Sequence, residues 1–278
     1  MRHRSFAALA LAAVASLGLT ACGGSGSTSS DASGSSSDVV TLTVGATPSP
    51  HAKILNYVND NLAADAGIKI KVVEYTDYVQ PNTALNDGEL DANFYQTVPY
   101  LENAEKQAGY EFEAGAGIHL EPLGVFSQKH KSLDELPNGG TIGIISDTSN
   151  QERALRLLAT QGLVSIPEGE GDVNVNTVTK LKDFSFNEVE GPQLVRSLED
   201  FDFAVINGNF AQEGGLSLSG DALVVESPVD NPAVNVLVWK AGSDKAAAIA
   251  KLEELLHSDQ VKQYIESTWS DGSVIPAF

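Results

Sequence analysis

Residues 39–75 read VVTLTVGATPSPHAKILNYVNDNLAADAGIKIKVVEY, and this run decides the fold class. It opens with VVTLTVGA, which alternates apolar and polar side chains as a strand does. Ile54, Leu55, Val58 and Leu62 then recur at the spacing that places them on one helical face, the pattern stops at Gly67, and IKIKVVEY returns to strand alternation. Strand, helix, strand is the βαβ unit of a parallel sheet.

The theme repeats along the chain. TIGII at 141–145 precedes the amphipathic NQERALRLLATQG, and DFAVIN at 202–207 precedes GNFAQEGG. VNVLVWK at 234–240 precedes DKAAAIAKLEELLHSDQVKQYIESTW, a helical run with a break expected around Ser258. The expected class is therefore α/β. No repeat of fixed period and no long internal linker is present, so two lobes would be joined by short crossings. EPLGVFS at 121–127 and SPVDNPAVN at 227–235 are the candidates, each with proline beside a short apolar strand.

The N-terminus is set aside from fold reasoning. MRHRSFAALALAAVASLGLTAC has a short basic start at Arg2 and Arg4, an apolar run too short and Ala-rich for a membrane span, and small residues before Cys22. It reads as a secretion signal over 1–21, and LTAC resembles the bacterial lipoprotein processing site, which implies cleavage before Cys22 and lipidation of its sulfur. Cys22 is the sole cysteine, so no internal disulfide can form and burial must stabilise the fold. Residues 22–38 continue as a Gly/Ser tether with a reach of roughly 20 Å. The remaining body of about 240 residues suits one large domain or two lobes, and needs no cofactor merely to fold. Losing both signal arginines moves the formal charge from −20 to −22, which repels phosphate backbones and makes nucleic acid an unsuitable partner.

Five of the seven tyrosines fall between Tyr75 and Tyr110, around DANFYQTVPYL at 91–101. In an extended DANFYQ, Asn93, Tyr95 and Thr97 share one face while Ala92, Phe94 and Gln96 share the other. Amide, phenol and hydroxyl on one face suit a ligand at the carboxyl end of an α/β sheet. The bland alternative is buried tyrosine hydrogen-bonded to backbone. A second candidate is ISDTSNQERALRLL, where Arg153 lies in the first turn of a helix whose free N–H groups already favour anions. The conflict resolves if helix end and guanidinium share a carboxylate ligand, or if Arg153 pairs with Asp147 or Glu152. Asn207 ends DFAVIN and Asn235 opens the last strand; their amide oxygens could accept from an ammonium, and the composite is a site for an amino acid. No nucleophile elbow, HExxH, CxxC or phosphate loop is present. His51, His119, His130 and His257 have no metal-ligand spacing and read as surface or helix-end residues, which leaves a metal receptor or an exported hydrolase as rival classes.

With these residues in view the chain resembles the lipoprotein substrate-binding components of methionine ABC importers. The resemblance runs from about Leu42 to Phe278 and rests on DYVQPNTAL, GELDANFYQ, VPYL, EPLGVFS, KSLDELP, SNQERALRLL, EGPQLVRSL, FAVINGNFA and GSVIPAF, in order along the chain. It implies a two-lobed periplasmic-binding-protein fold of type II with two chain crossovers and a ligand cleft between lobes: residues 39–124 plus 232–278 as one lobe, 125–231 as the other. It further implies a lipid-anchored receptor on the extracytoplasmic face of the cell membrane, not an enzyme, that delivers methionine to a permease driven by a separate ATPase. Carried over by motif, the side-chain pocket falls on Tyr78, Tyr95 and Tyr100, and the carboxylate-binding arginine on Arg153. Asn150, Asn207 and Asn235 take the polar ligand-binding positions. Thr97 stands where the family usually has His, and Ser146 and Thr148 where it has Asn and Pro. The ligand range left open is L- or D-methionine, its oxidised forms, a methionyl dipeptide, another amino acid or a metal ion.

Overall fold

The structure, a computed structural model, describes residues 39–169 and 171–278. The expectations of a signal, a lipidated Cys22 and a tether fall outside the described residues. Among the described residues no helix is long and apolar enough to cross a membrane.

Two sheets are built on one plan. The chain enters the first through β1 (Val40–Ala46), α1 (Lys53–Asn61), β2 (Ile68–Glu74), α2 (Gln80–Asn86), β3 (Ala92–Thr97), α3 (Val98–Ala108) and β4 (Phe112–Leu120). It then builds the second through β5 (Gly124–Phe126), β6 (Gly140–Ile145), α4 (Thr148–Thr160), a small hairpin of β7 (Val164–Ser165) and β8 (Thr179–Lys180), β9 (Phe184–Val189), α5 (Gly191–Arg196), β10 (Phe203–Ile206), α6 (Gly208–Glu213) and β11 (Val224–Val225). It returns to the first sheet with β12 (Val234–Lys240), α7 (Ala246–Leu256), α8 (Asp259–Thr268) and β13 (Ile275–Pro276).

The strand orders are β13-β4-β12-β3-β1-β2 and β11-β5-β10-β6-β9. In each sheet three strands run parallel, in the order second, first, third, and the next strand is antiparallel. That antiparallel strand, β12 or β5, is the one the chain lays down just after crossing from the other sheet. The passages are short: Leu120 to Gly124 one way and Val225 to Val234 the other.

The alternation in VTLTVGA buries Leu42, Val44 and Ala46 completely, and the α1 stripe of Ile54, Leu55 and Val58 packs on them with Ile249 and Leu252 of α7. A separate core joins Ile142 and Ile144 of β6 to Leu155 and Leu158 of α4 and to Phe203 and Val205 of β10. The expected break at Ser258 separates α7 from α8, because the Ser258 hydroxyl accepts from the Val261 N–H at 3.3 Å and caps the new helix.

One strand departs from simple alternation. Pairing between β3 and β12 matches Val236 with Gln96 and Leu237 with Phe94, skipping Tyr95. This bulge re-aims the side chains around it. Gln96 therefore does not share the Phe94 face as expected. Its amide donates to Asn82 and Asn93, each at 2.8 Å, and it joins Tyr95 and Thr97 at the site.

Candidate ligand-binding site

Ligands of parallel sheets bind beyond the carboxyl ends of the strands, where strand order reverses. Here four such ends from two sheets converge on one cavity. His51 follows β1, Thr97 ends β3, Asn150 and Arg153 stand in the first turns of α4 after β6, and Asn207 follows β10. Tyr78, Tyr95, Tyr100 and Asn235 line it too, so that, with Thr97, Asn150, Arg153 and Asn207, all eight residues singled out from sequence are there, and His51 is an addition. The residues surround about 360 Å³ of space, part of it open to solvent.

The aromatic side is a cup of three rings. Centroids of Tyr78, Tyr95 and Tyr100 lie 5.9, 5.7 and 6.0 Å apart, and Phe210 stacks behind Tyr78 at 4.7 Å. Tyr95 and Tyr100 both donate their hydroxyls to the Tyr78 carbonyl at 2.9 Å, and Tyr78 donates to the Asn209 amide oxygen at 2.5 Å. The bland reading of these tyrosines thus holds for their hydroxyls. With every phenol occupied, what they offer is carbon surface, and burial holds all three above the ordinary phenol range, so they stay neutral. Thr97 caps α3, accepting from the Tyr100 N–H at 3.4 Å, which a histidine would not do in the same way.

The polar side is organised by Arg153, whose partner is neither of the two expected from sequence. Glu152 pairs instead with Arg156, one helical turn on, and Asp147 caps α4 through the Asn150 N–H. Arg153 binds Glu226: Nε donates to Oε1 at 2.9 Å, Nη2 to Oε2 at 2.6 Å, and Nη2 also to the Glu121 carbonyl at 2.7 Å. Sequence could not show this, because Glu226 is 73 residues away on the return crossing. Glu226 also accepts from the Leu123 N–H on the outgoing crossing, so the pair fastens both crossings together. The Nε edge of the guanidinium is taken, and Nη1 has no hydrogen-bond partner among the described residues. Beside it the Asn207 amide donates to Asn150 at 2.9 Å.

Behind Arg153 lies a buried group that the sequence reading passed over. Glu121 was read only as part of a crossing, and His51 and His119 as surface or helix-end residues. The structure corrects this: their exposures are 5%, 1% and 0%. His119 Nε2 lies 2.9 Å and His51 Nε2 3.3 Å from Glu121 Oε1. His51 Nε2 also faces the Asn235 oxygen at 3.1 Å, and its Nδ1 meets the Thr47 hydroxyl at 2.6 Å. An Nε2 between two oxygen acceptors carries a proton, so Nδ1 accepts from Thr47. The three donor atoms lie within 4.8 Å of one another, the convergence a metal receptor would need, yet both imidazoles point N–H groups at a carboxylate as hydrogen-bond donors. Burial lowers His51 to about 4 and His119 to about 3, and raises the Glu121 carboxyl to about 7. The signal that could have found this group is the short spacing IHLEP at 118–122, which puts His119 and Glu121 on one face of an extended segment.

Comparison with known proteins decides the family. The profile of the NlpA lipoprotein family matches residues 42–278. The chain belongs to the NlpA lipoprotein family. Within it, the chain is 36% identical to the methionine-binding lipoprotein MetQ of Bacillus subtilis over 246 residues, 84% of this chain and 87% of the relative. Among solved structures, a lipoprotein from Actinomyces odontolyticus is 86% identical, with a TM-score of 0.85 over 87% of this chain and all of the other. A nutrient-binding protein from Burkholderia cenocepacia bound to methionine is 35% identical, with a TM-score of 0.80 over 85% of this chain and all of the other. The NlpA chain therefore has the two-sheet α/β fold of the family's substrate-binding proteins, as its motifs led us to expect.

Proposed function

We propose that this chain is the lipid-anchored, extracytoplasmic receptor of an ABC importer and that it binds methionine in the cavity between its two sheets. The observation that carries the reading is the juxtaposition, around one space, of a cup of three tyrosine rings and a half-buried arginine whose Nη1 has no hydrogen-bond partner among the described residues. A thioether against aromatic rings is favourable by roughly 0.3–1.5 kcal/mol each, and a guanidinium Nη1 flanked by amides suits a carboxylate. The methionine-binding relative in Bacillus subtilis and the methionine-bound neighbour from Burkholderia cenocepacia support the ligand. In this reading Tyr78, Tyr95, Thr97 and Tyr100 enclose the side chain, Arg153 takes the carboxylate, and Asn150, Asn207 and Asn235 are polar anchors.

No bond is made or broken. Residues 39–124 with 232–278 form one lobe and 125–231 the other, and ligand favours the closed form by its differential affinity. The Arg153–Glu226 pair at the crossings gives closure a fixed pivot. Lipidated Cys22 and the tether hold the body near a permease driven by a separate ATPase.

Native mass spectrometry of the purified body from residue 39 onward tests the ligand. A retained mass equal to methionine, unaffected by a chelator, is the expected result; a different mass would keep the receptor and replace the ligand. Palmitate labelling that Cys22→Ala abolishes is expected for the anchor, and an unlabelled wild type would remove it.

A further inference from the structure

We propose that Glu121 is the counter-charge for the ligand's α-ammonium group, with His51 and His119 as positioning residues that orient it, so that the cleft selects zwitterions. The inference rests on the reading of this cavity as an amino-acid site, and it assigns the positive end of the ligand to a carboxylate instead of amide oxygens.

The first argument is a count of charges. Two carboxylates, Glu121 and Glu226, meet one guanidinium, that of Arg153, and Glu226 takes its Nε edge outright. The remaining charged or titratable groups facing Glu121 supply no cation. Both histidines, from the turn before α1 and from β4 itself, are held neutral by burial. From α6 comes Glu213, a further acid, whose own carboxyl is raised to about 7 mainly by burial, and before α2 comes the neutral Tyr78. A ligand carboxylate on Arg153 adds yet another negative charge. In the empty site a proton on Glu121 partly balances the charge, and a cation brought by the ligand can take its place, because a buried carboxylate with neither is costly.

The second argument is the way Glu121 is held. Its oxygens are met by neutral donors: His119 Nε2 at 2.9 Å, His51 Nε2 at 3.3 Å, the Asn235 amide at 3.4 Å and the Asn209 backbone N–H. These fix its orientation without cancelling its charge. Gly208 lets α6 approach: a Cβ there would lie 2.9 Å from the Glu121 Cβ, tighter than side chains tolerate. The Asn235 oxygen, one of the two ammonium acceptors expected from sequence, already faces His51 at 3.1 Å. Glu121 lines the cavity alongside Arg153, so one amino acid can reach both.

The test uses the processed full chain, with methionine and its des-amino analogue as probes in calorimetry. The wild type is expected to bind methionine about 30-fold or more tighter than the analogue. Glu121→Gln keeps the shape and is expected to shrink that ratio to within about 3-fold, with affinity for the analogue unchanged or improved. Near pH 7 wild-type binding should release about half a proton, read from the dependence of the enthalpy on buffer ionisation, and the variant should release none, which a merely structural role would not produce. Equal binding of methionine and analogue by the wild type would overturn the inference without recourse to any variant. So would a Glu121→Gln protein that keeps the wild-type ratio. Failure of the wild type to bind methionine at all is a separate result: it would remove the proposed function, and this inference with it.

Discussion

Arg153 carries two duties that a single substitution exposes. It neutralises Glu226 at the crossings and offers Nη1 to the cleft, both at 15% side-chain exposure or less. Arg153→Ala leaves the half-buried Glu226 without its partner as well as removing the carboxylate grip. Methionine binding should weaken by about 2–5 kcal/mol, roughly 30-fold or more, in calorimetry. Unchanged affinity would sink the assignment of the ligand carboxylate to this residue. Thr97 is the gentler probe. It lines the cavity and caps α3, so Thr97→His introduces a ring at that wall and removes a weak 3.4 Å cap. The expected outcome is an altered ranking of methionine, its oxidised forms and other amino acids in thermal-shift assays, with folding retained. Identical rankings would show that Thr97 does not touch the ligand.

At the scale of elements, the cup of rings depends on a helix that never reaches the cavity. Gly191 opens α5, and a Cβ there would lie 2.2 Å from the nearest carbon of the Phe210 ring, which stacks on Tyr78. Gly191→Ala must displace Phe210, the ring behind Tyr78. Over-packing of this kind destabilises by about 1–3 kcal/mol, and methionine affinity should fall with it; denaturant unfolding and calorimetry together would read both. A change in stability with no change in affinity would separate Phe210 from the pocket. The bulge at Tyr95 is the corresponding device in the sheet, since it brings Tyr95, Gln96 and Thr97 to the cavity where strict alternation would turn the middle one away.

For the whole molecule the buried group around Glu121 sets a pH response. Both histidines are lowered by burial, from 6.5 to about 4 for His51 and about 3 for His119, so the unfolded chain takes up protons that the folded chain refuses. Their contribution to stability is complete above pH 6.5 and is lost as pH falls toward 4 and 3. Glu121 acts in the opposite sense, from 4.5 up to about 7: its contribution is complete below pH 4.5 and is lost as pH rises through 7. Two histidines outweigh one carboxyl between pH 6.5 and 4.5, so this cluster lowers the melting temperature across that window. His119→Gln cannot be protonated in the unfolded state, and its decline should be shallower than that of the wild type. Parallel melting curves from pH 6.5 to 4 would contradict a neutral, buried His119.

The local alternation of VTLTVGA, the one-sided stripe of α1 and the Ser258 break were legible because period and capping are properties of short stretches of chain. So was the candidacy of Tyr95, Arg153, Asn207 and Asn235, which lie near strand ends or a helix start, whereas Tyr78, Tyr100 and Asn150 were indicated by the resemblance. β4 was not legible, since FEAGAGIHL alternates with glycine and alanine that carry little apolar signal. The partner of Arg153, the turn of Gln96 toward the cleft and the burial of His51, His119 and Glu121 were decided by the tertiary structure alone. His51 and Glu121 are about 70 residues apart, and Arg153 and Glu226 are 73. A charge finds its counter-charge, and a titration its shift, from whatever the fold brings within a few ångströms, and no local pattern records what lies across a sheet.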